Sequence, residues 1–239
     1  MRLAKYLARA GVASRRRSED IIRQGRVQIN GQVAKQPQED VTDHDHITVD
    51  GKAIKGFENK LYVLLNKPAG FISTVHDTHQ RPTVMNLLDD LKTRLYPVGR
   101  LDADSSGVLL MTNDGEIAYR LTHPRYQVKK VYHAWVKGLP TKEALALFSK
   151  GLVIDGHKSA PAGIKLLKTA YNKRAALLEI TLTEGKKRQV KNMCSSINHP
   201  VTELNRVSFG GLKAGNLEKG SYRFLTESEI NKLYRMVGL

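Results

Sequence analysis

GRLDADSSGVLLMTNDG, residues 99–115, sets two carboxylates, Asp102 and Asp104, ahead of a run of small and aliphatic residues. Val108–Thr112 is apolar and reads as a buried strand, and Glu116–Leu121 just beyond it reads as a helix. The chain already carries a large excess of charge, so solubility gives no reason for acid at this point. Residues two apart share a strand face, so Asp102 and Asp104 could stand together as a glycosidase-like pair. Equally, Asp104 could be a loop or turn residue, and Asp102 a turn aspartate at the start of the strand. Taken alone, the segment leaves these readings open.

Outward from it, LYVLLNKPAG gives a strand at Leu61–Leu65 that breaks at Pro68 and Gly70. Further strands are expected at Val131–Val136 and Ala175–Leu182, and helices at Thr141–Lys150 and from Lys187 to Ser196. Thr226-Glu227-Ser228-Glu229 is a capping-box pattern, followed by Ile230, Leu233 and Tyr234 on one helical face. Strands dominate and no regular βαβ alternation appears, which favours an α+β fold with a mixed or antiparallel sheet and flanking helices.

Residues 1–58 read as a separate small module, and 59–239 as the larger domain. Leu3, Leu7 and Ala10 recur at helical spacing before Gly11; Ser14 can cap a second helix over Arg15–Gln24, which Gly25 ends. Val27 and Ile29 alternate into Asn30-Gly31, and Ile47 and Val49 into Asp50-Gly51, both hairpin signals. KAIKGFENK, residues 52–60, is polar and reads as the linker. Residues 1–30 hold Arg2, Lys5, Arg9, Arg15, Arg16, Arg17, Arg23 and Arg26 against only Glu19 and Asp20. Arg15, Arg16 and Arg17 open the second helix, where the macrodipole disfavours cations. Phosphate oxygens are a partner that would favour them there.

The whole chain agrees with that bias. Its 239 residues are 41% hydrophobic, enough for a real core, and carry a formal net charge of +16. That balance points to a polyanion, nucleic acid before an acidic membrane surface. Cys194 is the single cysteine, so intramolecular disulfides and Cys-based zinc motifs are excluded and a reducing compartment is expected. MRLAKYLARAG lacks the apolar core of a signal peptide, and no stretch is long and apolar enough to cross a bilayer. A cytoplasmic protein with no membrane association is the expectation. Asp43, His44, Asp45 and His46 carry ligand-type side chains, but without geometry they read as a solvated loop, and no metal is expected.

Two resemblances cover nearly the whole chain. RLAKYLARAGVASRRRSEDIIRQGRVQINGQVA (2–34) resembles the S4 RNA-binding domain. NKPAG (66–70), RPTV (81–84), YPVGRLDADSSGVLLMTNDG (96–115), KKVY (129–132) and EGKKRQVKNM (184–193) resemble, in order, the rRNA pseudouridine synthases of the RsuA/RluB group. The resemblance implies that the enzyme breaks the N1–C1′ bond of uridine, turns the uracil and joins C5 to C1′, with no cofactor. Asp102, the aspartate of GRLD, then corresponds to the nucleophile. A carboxylate suits a C1′ that develops oxocarbenium character. Asp104 has no role in the family pattern and reads as a loop or turn residue. Tyr132 corresponds to the active-site tyrosine, whose ring can stack on the base and whose hydroxyl can move a proton. Lys191 stands where many relatives have arginine and corresponds to the basic residue paired with the nucleophile, as a point charge rather than a fork. Gly99 and Gly107 would let an RNA backbone approach closely.

Arg2, Lys5, Arg15, Arg16, Arg17 and Arg26 are candidate RNA contacts in the small module. Arg100, Lys186, Lys187, Arg188 and Arg206 are candidates in the large one. The partner implied is ribosomal RNA or a ribosomal assembly intermediate, met by a monomer. YPVGRLD, RPTV and EGKKRQV lie closer to the large-subunit, RluB-like enzymes, which favours 23S over 16S rRNA. The alternative is a non-catalytic S4-containing RNA-binding or ribosome-assembly protein, which would be expected to have lost Asp102 or Tyr132. A nucleoside N-glycosidase would leave the basic module without a task.

Overall fold

The computed structural model describes residues 1–54, 56–154, 156–170 and 174–239. They form two compact units: Met1–Leu61 with Lys92–Arg94 and Asn113–Gly115, and the remainder.

The smaller unit has α1 (Leu3–Arg9), α2 (Arg15–Arg23), β1 (Val27–Ile29), β2 (Gln32–Val33), β3 (Ile47–Val49) and β4 (Lys52–Ala53). Its strands lie in the order β2-β1-β3-β4, all antiparallel. Of the positions read at helical spacing, Leu3 and Leu7 enter the core, where with Ile21 and Ile22 of α2 they pack on Val27 and Ile47, while Ala10 stays outside it. Ser14 caps α2, its hydroxyl accepting the N–H of Arg17 at 3.2 Å. Asn30-Gly31 and Asp50-Gly51 both turn with positive φ at each residue, the conformation that matches strand twist in a tight hairpin.

One boundary needs correction. The stretch 52–60 is not all linker, because the Asp50-Gly51 turn folds Lys52 and Ala53 back onto Val49 and Thr48 as β4. Ile54 and Phe57 then pack against the small core; Lys55 lies outside the described residues. The loop at Asp43–His46 is held by its own hydrogen bonds. The Asp45 carboxylate accepts from the Thr42 N–H, the Thr42 hydroxyl and the Asn30 amide, which pull its pKa below the ordinary carboxylate value.

The larger unit contains β5 (Tyr62–Lys67), β6 (Tyr96–Pro97), β7 (Ser106–Thr112), α3 (Gly115–Thr122), β8 (Lys130–Lys137) and α4 (Lys142–Lys150). Then come β9 (Val153–Ile154), β10 (His157–Lys158), β11 (Gly163–Thr169), β12 (Ala175–Leu182), α5 (Gln189–Ser196), β13 (Val201–Phe209), β14 (Tyr222–Phe224) and α6 (Glu227–Met236). β9 and β10 form a separate hairpin. The main sheet runs β11-β12-β8-β13-β7-β5-β14, with β6 beside β7. Among the described residues, β13–β7 is the one parallel strand pair of this sheet. The fold is therefore α+β with a mixed sheet, as the pattern of elements predicts.

β7 is buried at every residue, as befits a central strand covered on both faces. On one side Leu64, Val108 and Leu110 meet Ile117 and Leu121 of α3 and Leu233 of α6. The capping box at Thr226 and Glu229 starts α6 as read. The expected helix from Lys187 begins later, at Gln189, because Arg188 takes a left-handed conformation with φ 52.

Gly107 does not serve an RNA backbone. Its φ is 111, and a Cβ built there would overlap the Arg206 carbonyl oxygen and sit 2.6 Å from the Arg206 nitrogen. The approach that demands glycine is that of the chain's own strand β13. At Gly99, φ is 73 and a Cβ would meet only the Thr122 methyl at 3.6 Å, so the constraint there is conformational.

Candidate active site

The turn that carries Asp102 is assembled from below. Lys67 ends β5 fully buried, and its ammonium donates to three carbonyl oxygens: Pro68 at 2.9 Å, Asp102 at 3.2 Å and Ser105 at 2.7 Å. The Ser105 N–H closes the turn on the Asp102 carbonyl at 3.1 Å, and the Gly70 N–H reaches the Ala103 carbonyl at 2.7 Å. Ser73 clamps Leu101 through both its backbone groups. Asp102 and Asp104 thus lie on a pinned turn ahead of β7, not on a strand face, so the strand-face basis for a glycosidase-like pair is absent. Asp102 is half-buried and lines a cavity of about 490 Å³, a size usual for small-molecule sites. Asp104 is exposed and outside that lining.

β8 and β13 supply the cavity's floor. Lys130 and Tyr132, two apart on β8, face the same way, and Tyr132 pairs in register with Arg206 of β13. Leu204 and Phe209 of β13, with Leu182 of β12, add apolar wall. Lys130 is buried, donates to the Val128 and Thr183 carbonyls, and stands 6.0 Å from the Phe209 ring centre. Burial lowers its pKa to about 8, with the Arg206 charge adding to the fall. Lys67 is likewise lowered to about 8, by burial first, while Asp104 and Asp102 draw it back upward.

The basic rim comes from the loop before α5. Glu184 binds the Gln189 amide and accepts the Ala160 N–H, and Gln189 accepts the Lys186 N–H at 3.0 Å. With those polar groups turned inward, Lys186, Lys187 and Arg188 are exposed along the cavity. Arg100 is exposed on the same lining. Arg206, expected to touch RNA, is only 2% exposed. Its Nε donates to the Val108 carbonyl at 2.8 Å, one terminal nitrogen to the Arg100 carbonyl at 3.5 Å, and the guanidinium lies 5.1 Å from the Phe209 ring. It braces β13 against β7 and is too buried to be an exposed phosphate contact; among the described residues its other terminal nitrogen has no hydrogen-bond partner.

Lys191 differs from expectation more sharply. Its ammonium binds the Asp104 carboxylate at 2.5 Å, with Arg188 3.7 Å from the other oxygen, and no hydrogen bond or ion pair joins it to Asp102. α5 begins after the left-handed Arg188, and that start aims Lys191 at the far end of the turn. The Lys191 hydrogen bond, followed by the charges of Lys191 and Arg188, holds Asp104 below the ordinary carboxylate pKa.

In the small unit Arg2, Lys5, Arg16 and Arg17 are exposed. Arg15 lies 3.9 Å from Glu19, and Arg26 is gripped on two sides by the Asp50 carboxylate. Lys67 and Lys130 are the residues that sequence reasoning passed over. The available signal was a lysine closing an otherwise apolar strand, and a second one alternating with Tyr132 and Ala134.

Replacing Lys67 by methionine should loosen the Asp102 turn: the Pro68 and Ser105 carbonyls lose their donor, at about 1–3 kcal/mol for each left unsatisfied, and the Asp102 carbonyl keeps only the Ser105 N–H. The pH dependence gives an independent check. A lysine lowered from 10.5 to about 8 binds its proton less well folded than unfolded. Stability from this group therefore rises with pH between about 8 and 10.5. Lys67→Met should melt lower than wild type at pH 7 and lose that rise; equal melting curves across the range would remove the anchoring role.

Comparison with known proteins shows the family and the fold. Residues 61–196 match the family described as RNA pseudouridylate synthase, and residues 1–47 match the S4 domain. The chain is 42% identical to the ribosomal large subunit pseudouridine synthase B of Bacillus subtilis, covering 97% of this chain and 95% of that one. It is 38% identical to an uncharacterized RNA pseudouridine synthase of Aquifex aeolicus, over 100% and 96% of the two chains. A crystal structure of a pseudouridylate synthase superposes with a TM-score of 0.68 at 30% identity, covering 98% of this chain and 99% of that one. Among the described residues no helix is long and apolar enough to cross a membrane.

Proposed function

The chain belongs to the RNA pseudouridylate synthase family, and we propose that it converts a uridine of 23S ribosomal RNA to pseudouridine with Asp102 as nucleophile at C1′. The observation that carries this reading is the placement of Asp102 and Tyr132 in the lining of one cavity with a basic rim. Similarity along nearly the whole chain to a ribosomal large subunit enzyme supports the large-subunit target.

In this mechanism the target nucleotide leaves its stack and enters the cavity, its flanking phosphates meeting Arg100, Lys186, Lys187 and Arg188. The Asp102 carboxylate stabilises or traps C1′ as the N1–C1′ bond breaks. The freed uracil turns against the Tyr132 ring and the apolar wall and C5 bonds to C1′; the C5 proton then leaves while N1 takes one up, with Tyr132 serving in the transfer. The chemistry is a redox-neutral isomerisation. Lys67 acts here by fixing the turn, and Arg206 by fixing the strand that carries the cavity floor.

The S4-like module, which we place at 1–58 ahead of a catalytic domain at 59–239, supplies the docking charge. Changing Arg15, Arg16 and Arg17 together to alanine should weaken rRNA binding and flatten its salt dependence. Loss of three phosphate contacts lowers the slope of log affinity against log salt by about two. A triple variant with the wild-type slope would remove the α2 face as the docking surface.

Pseudouridine mapping of rRNA from a deletion strain, followed by treatment of that rRNA with purified enzyme, tests the reading. One 23S position should lose its pseudouridine and regain it. A lost and restored position in 16S rRNA would overturn the large-subunit assignment, and unchanged rRNA would overturn the rRNA target altogether.

A further inference from the structure

Arg206 is 2% exposed in the cavity lining, and two of its three guanidinium nitrogens are already committed. Nε donates to the Val108 carbonyl of β7 at 2.8 Å, and Nη1 to the Arg100 carbonyl at 3.5 Å. Those two bonds fix the plane of the group between β7 and the loop that carries Asp102. The other terminal nitrogen, Nη2, is closed to solvent and has no hydrogen-bond partner among the described residues. A buried cationic donor without an acceptor costs stability, and native proteins keep few of them. Bracing β13 accounts for the two bonds that are made, and not for the third nitrogen.

Its surroundings say what kind of acceptor would complete it. Tyr132 of β8 is the register partner of Arg206, and Leu204 and Phe209 of β13 line the same cavity. This floor is aromatic and apolar, a surface for a base rather than for a phosphate. Phosphates have the exposed rim of Arg100, Lys186, Lys187 and Arg188. Charge points the same way. Asp102 is the one acidic side chain of the lining, against six basic ones. Burial first, and then the Arg206 charge, hold the Lys130 ammonium down at a pKa of about 8. Negative charge formed on the floor would relieve that repulsion.

We propose that Nη2 of Arg206 donates to a carbonyl oxygen of the target uracil and stabilises the negative charge of that base while it is detached. This inference deepens the function proposed above and rests on it. As N1–C1′ breaks, its electron pair goes to N1 and the charge spreads onto O2 and O4, while the Asp102 carboxylate traps C1′. A half-turn about the N3–C6 axis exchanges N1 with C5 and O2 with O4. One fixed donor therefore meets a carbonyl oxygen both before and after the turn. C5 then bonds to C1′ as the bond from C1′ to Asp102 is released, the C5 proton leaves and N1 takes one up. Arg206 stays protonated throughout. Its interaction is strongest when the base is an anion, which raises rate rather than affinity. In the free protein the lining closes over Nη2, so a lining side chain moves aside as the base enters.

The test reads the guanidinium itself, in full-chain Asp102→Asn with ¹⁵N-labelled arginine. The neutral amide stands for the carboxylate once it is bound to C1′. The probe is 5-nitrouracil, an anion at neutral pH with charge on its carbonyl oxygens, compared with uracil, which is neutral there. 5-Nitrouracil should shift the Arg206 Nη signals and slow their hydrogen exchange, and uracil should do so more weakly. The anion should bind at least about tenfold tighter than uracil, a ratio that should fall below about threefold in Asp102→Asn/Arg206→Lys. In single-turnover reactions on rRNA, Arg206→Lys should be about 100-fold slower than wild type, with half-saturation changed less than about threefold. With 5-fluorouridine at the target position, whose base is the more stable anion, cleavage from C1′ should be slowed only about tenfold or less. Loss of bracing alone would slow both substrates equally.

Arg206 signals unmoved by 5-nitrouracil, or an anion preference that survives Arg206→Lys unchanged, would overturn the proposal and pass the role to Lys130 or a rim cation. Equal losses on uridine and 5-fluorouridine would overturn it as well. If Arg206→Lys does not fold, the labelled Asp102→Asn protein still decides, because it keeps the arginine. The binding measurements use neither RNA nor turnover. They settle whether Arg206 holds the base anion even if the wild-type enzyme made no pseudouridine, an outcome that would count against the proposed function alone.

Discussion

Asp102→Asn should abolish pseudouridine formation while leaving rRNA affinity within about threefold of wild type. The amide keeps the size and shape of the side chain but cannot trap C1′ or offset its positive charge. Loss of a nucleophile costs at least about four orders of magnitude in rate, or about 5.5 kcal/mol at 1.36 kcal/mol per tenfold. Affinity should persist because the rim cations and the α2 arginines are untouched, and they supply the phosphate contacts. The turn should also persist. Lys67 and Ser105 bind the Asp102 backbone carbonyl rather than its side chain, so the variant should melt near wild type. Single-turnover assays on the cognate rRNA, with binding measured by titration, check both halves. Turnover above background would sink the assignment of Asp102. A loss at Asp104→Asn as complete as this one would identify the wrong carboxylate, since Asp104 lies outside the cavity and its effect should be smaller.

The contrast between the two aspartates also shows what the sequence could disclose. Local patterns decide local structure. Ser14, Thr141 and Thr226 announce their helices because a capping hydroxyl and the N–H it accepts lie within three residues. β7 is legible as an apolar run, and β12 by its strict alternation of buried and half-buried residues. β13 is not, because VTELNRVSF mixes Thr, Glu, Asn and Arg into a strand that ends up central. Its buried arginine is tolerable only because carbonyls of β7 and of the loop before Asp102 meet it, and those partners are about a hundred residues away. Lys67 is hidden for the same reason: nothing near it in sequence says that three carbonyls converge on its ammonium. Asp102 and Tyr132, picked out by the motif resemblance, both line the cavity. The contact of Lys191 with Asp104 was not legible, because the choice between carboxylates two residues apart depends on where the turn points and where α5 starts.

Gly107→Ala is expected to be the most destabilising single methyl addition in the larger unit. The added Cβ has no open direction. It falls on the Arg206 carbonyl oxygen and lies 2.6 Å from the Arg206 nitrogen, so backbone rather than a flexible side chain must move. The residue also sits at φ 111, which L side chains rarely adopt. Overpacking costs about 1–3 kcal/mol and the strained backbone a similar amount, giving about 2–6 kcal/mol in total. At about 2–4 °C for each kcal/mol in a domain of this size, the melting temperature should fall by roughly 4–24 °C. Gly99→Ala is the control: it shares the positive φ but meets only the Thr122 methyl at 3.6 Å, so its cost should be the conformational part alone. Because β7 and β13 meet in parallel at Gly107 and Arg206, spreading them shifts Arg206 and, through the register with β8, the cavity floor at Tyr132. Residual folded Gly107→Ala should therefore be slow in single turnover even below its melting point, whereas Gly99→Ala should stay near the wild-type rate. A Gly107→Ala protein that melts within a degree or two of wild type would mean that β7 and β13 do not approach as closely as this, and the bracing role of Arg206 would go with it.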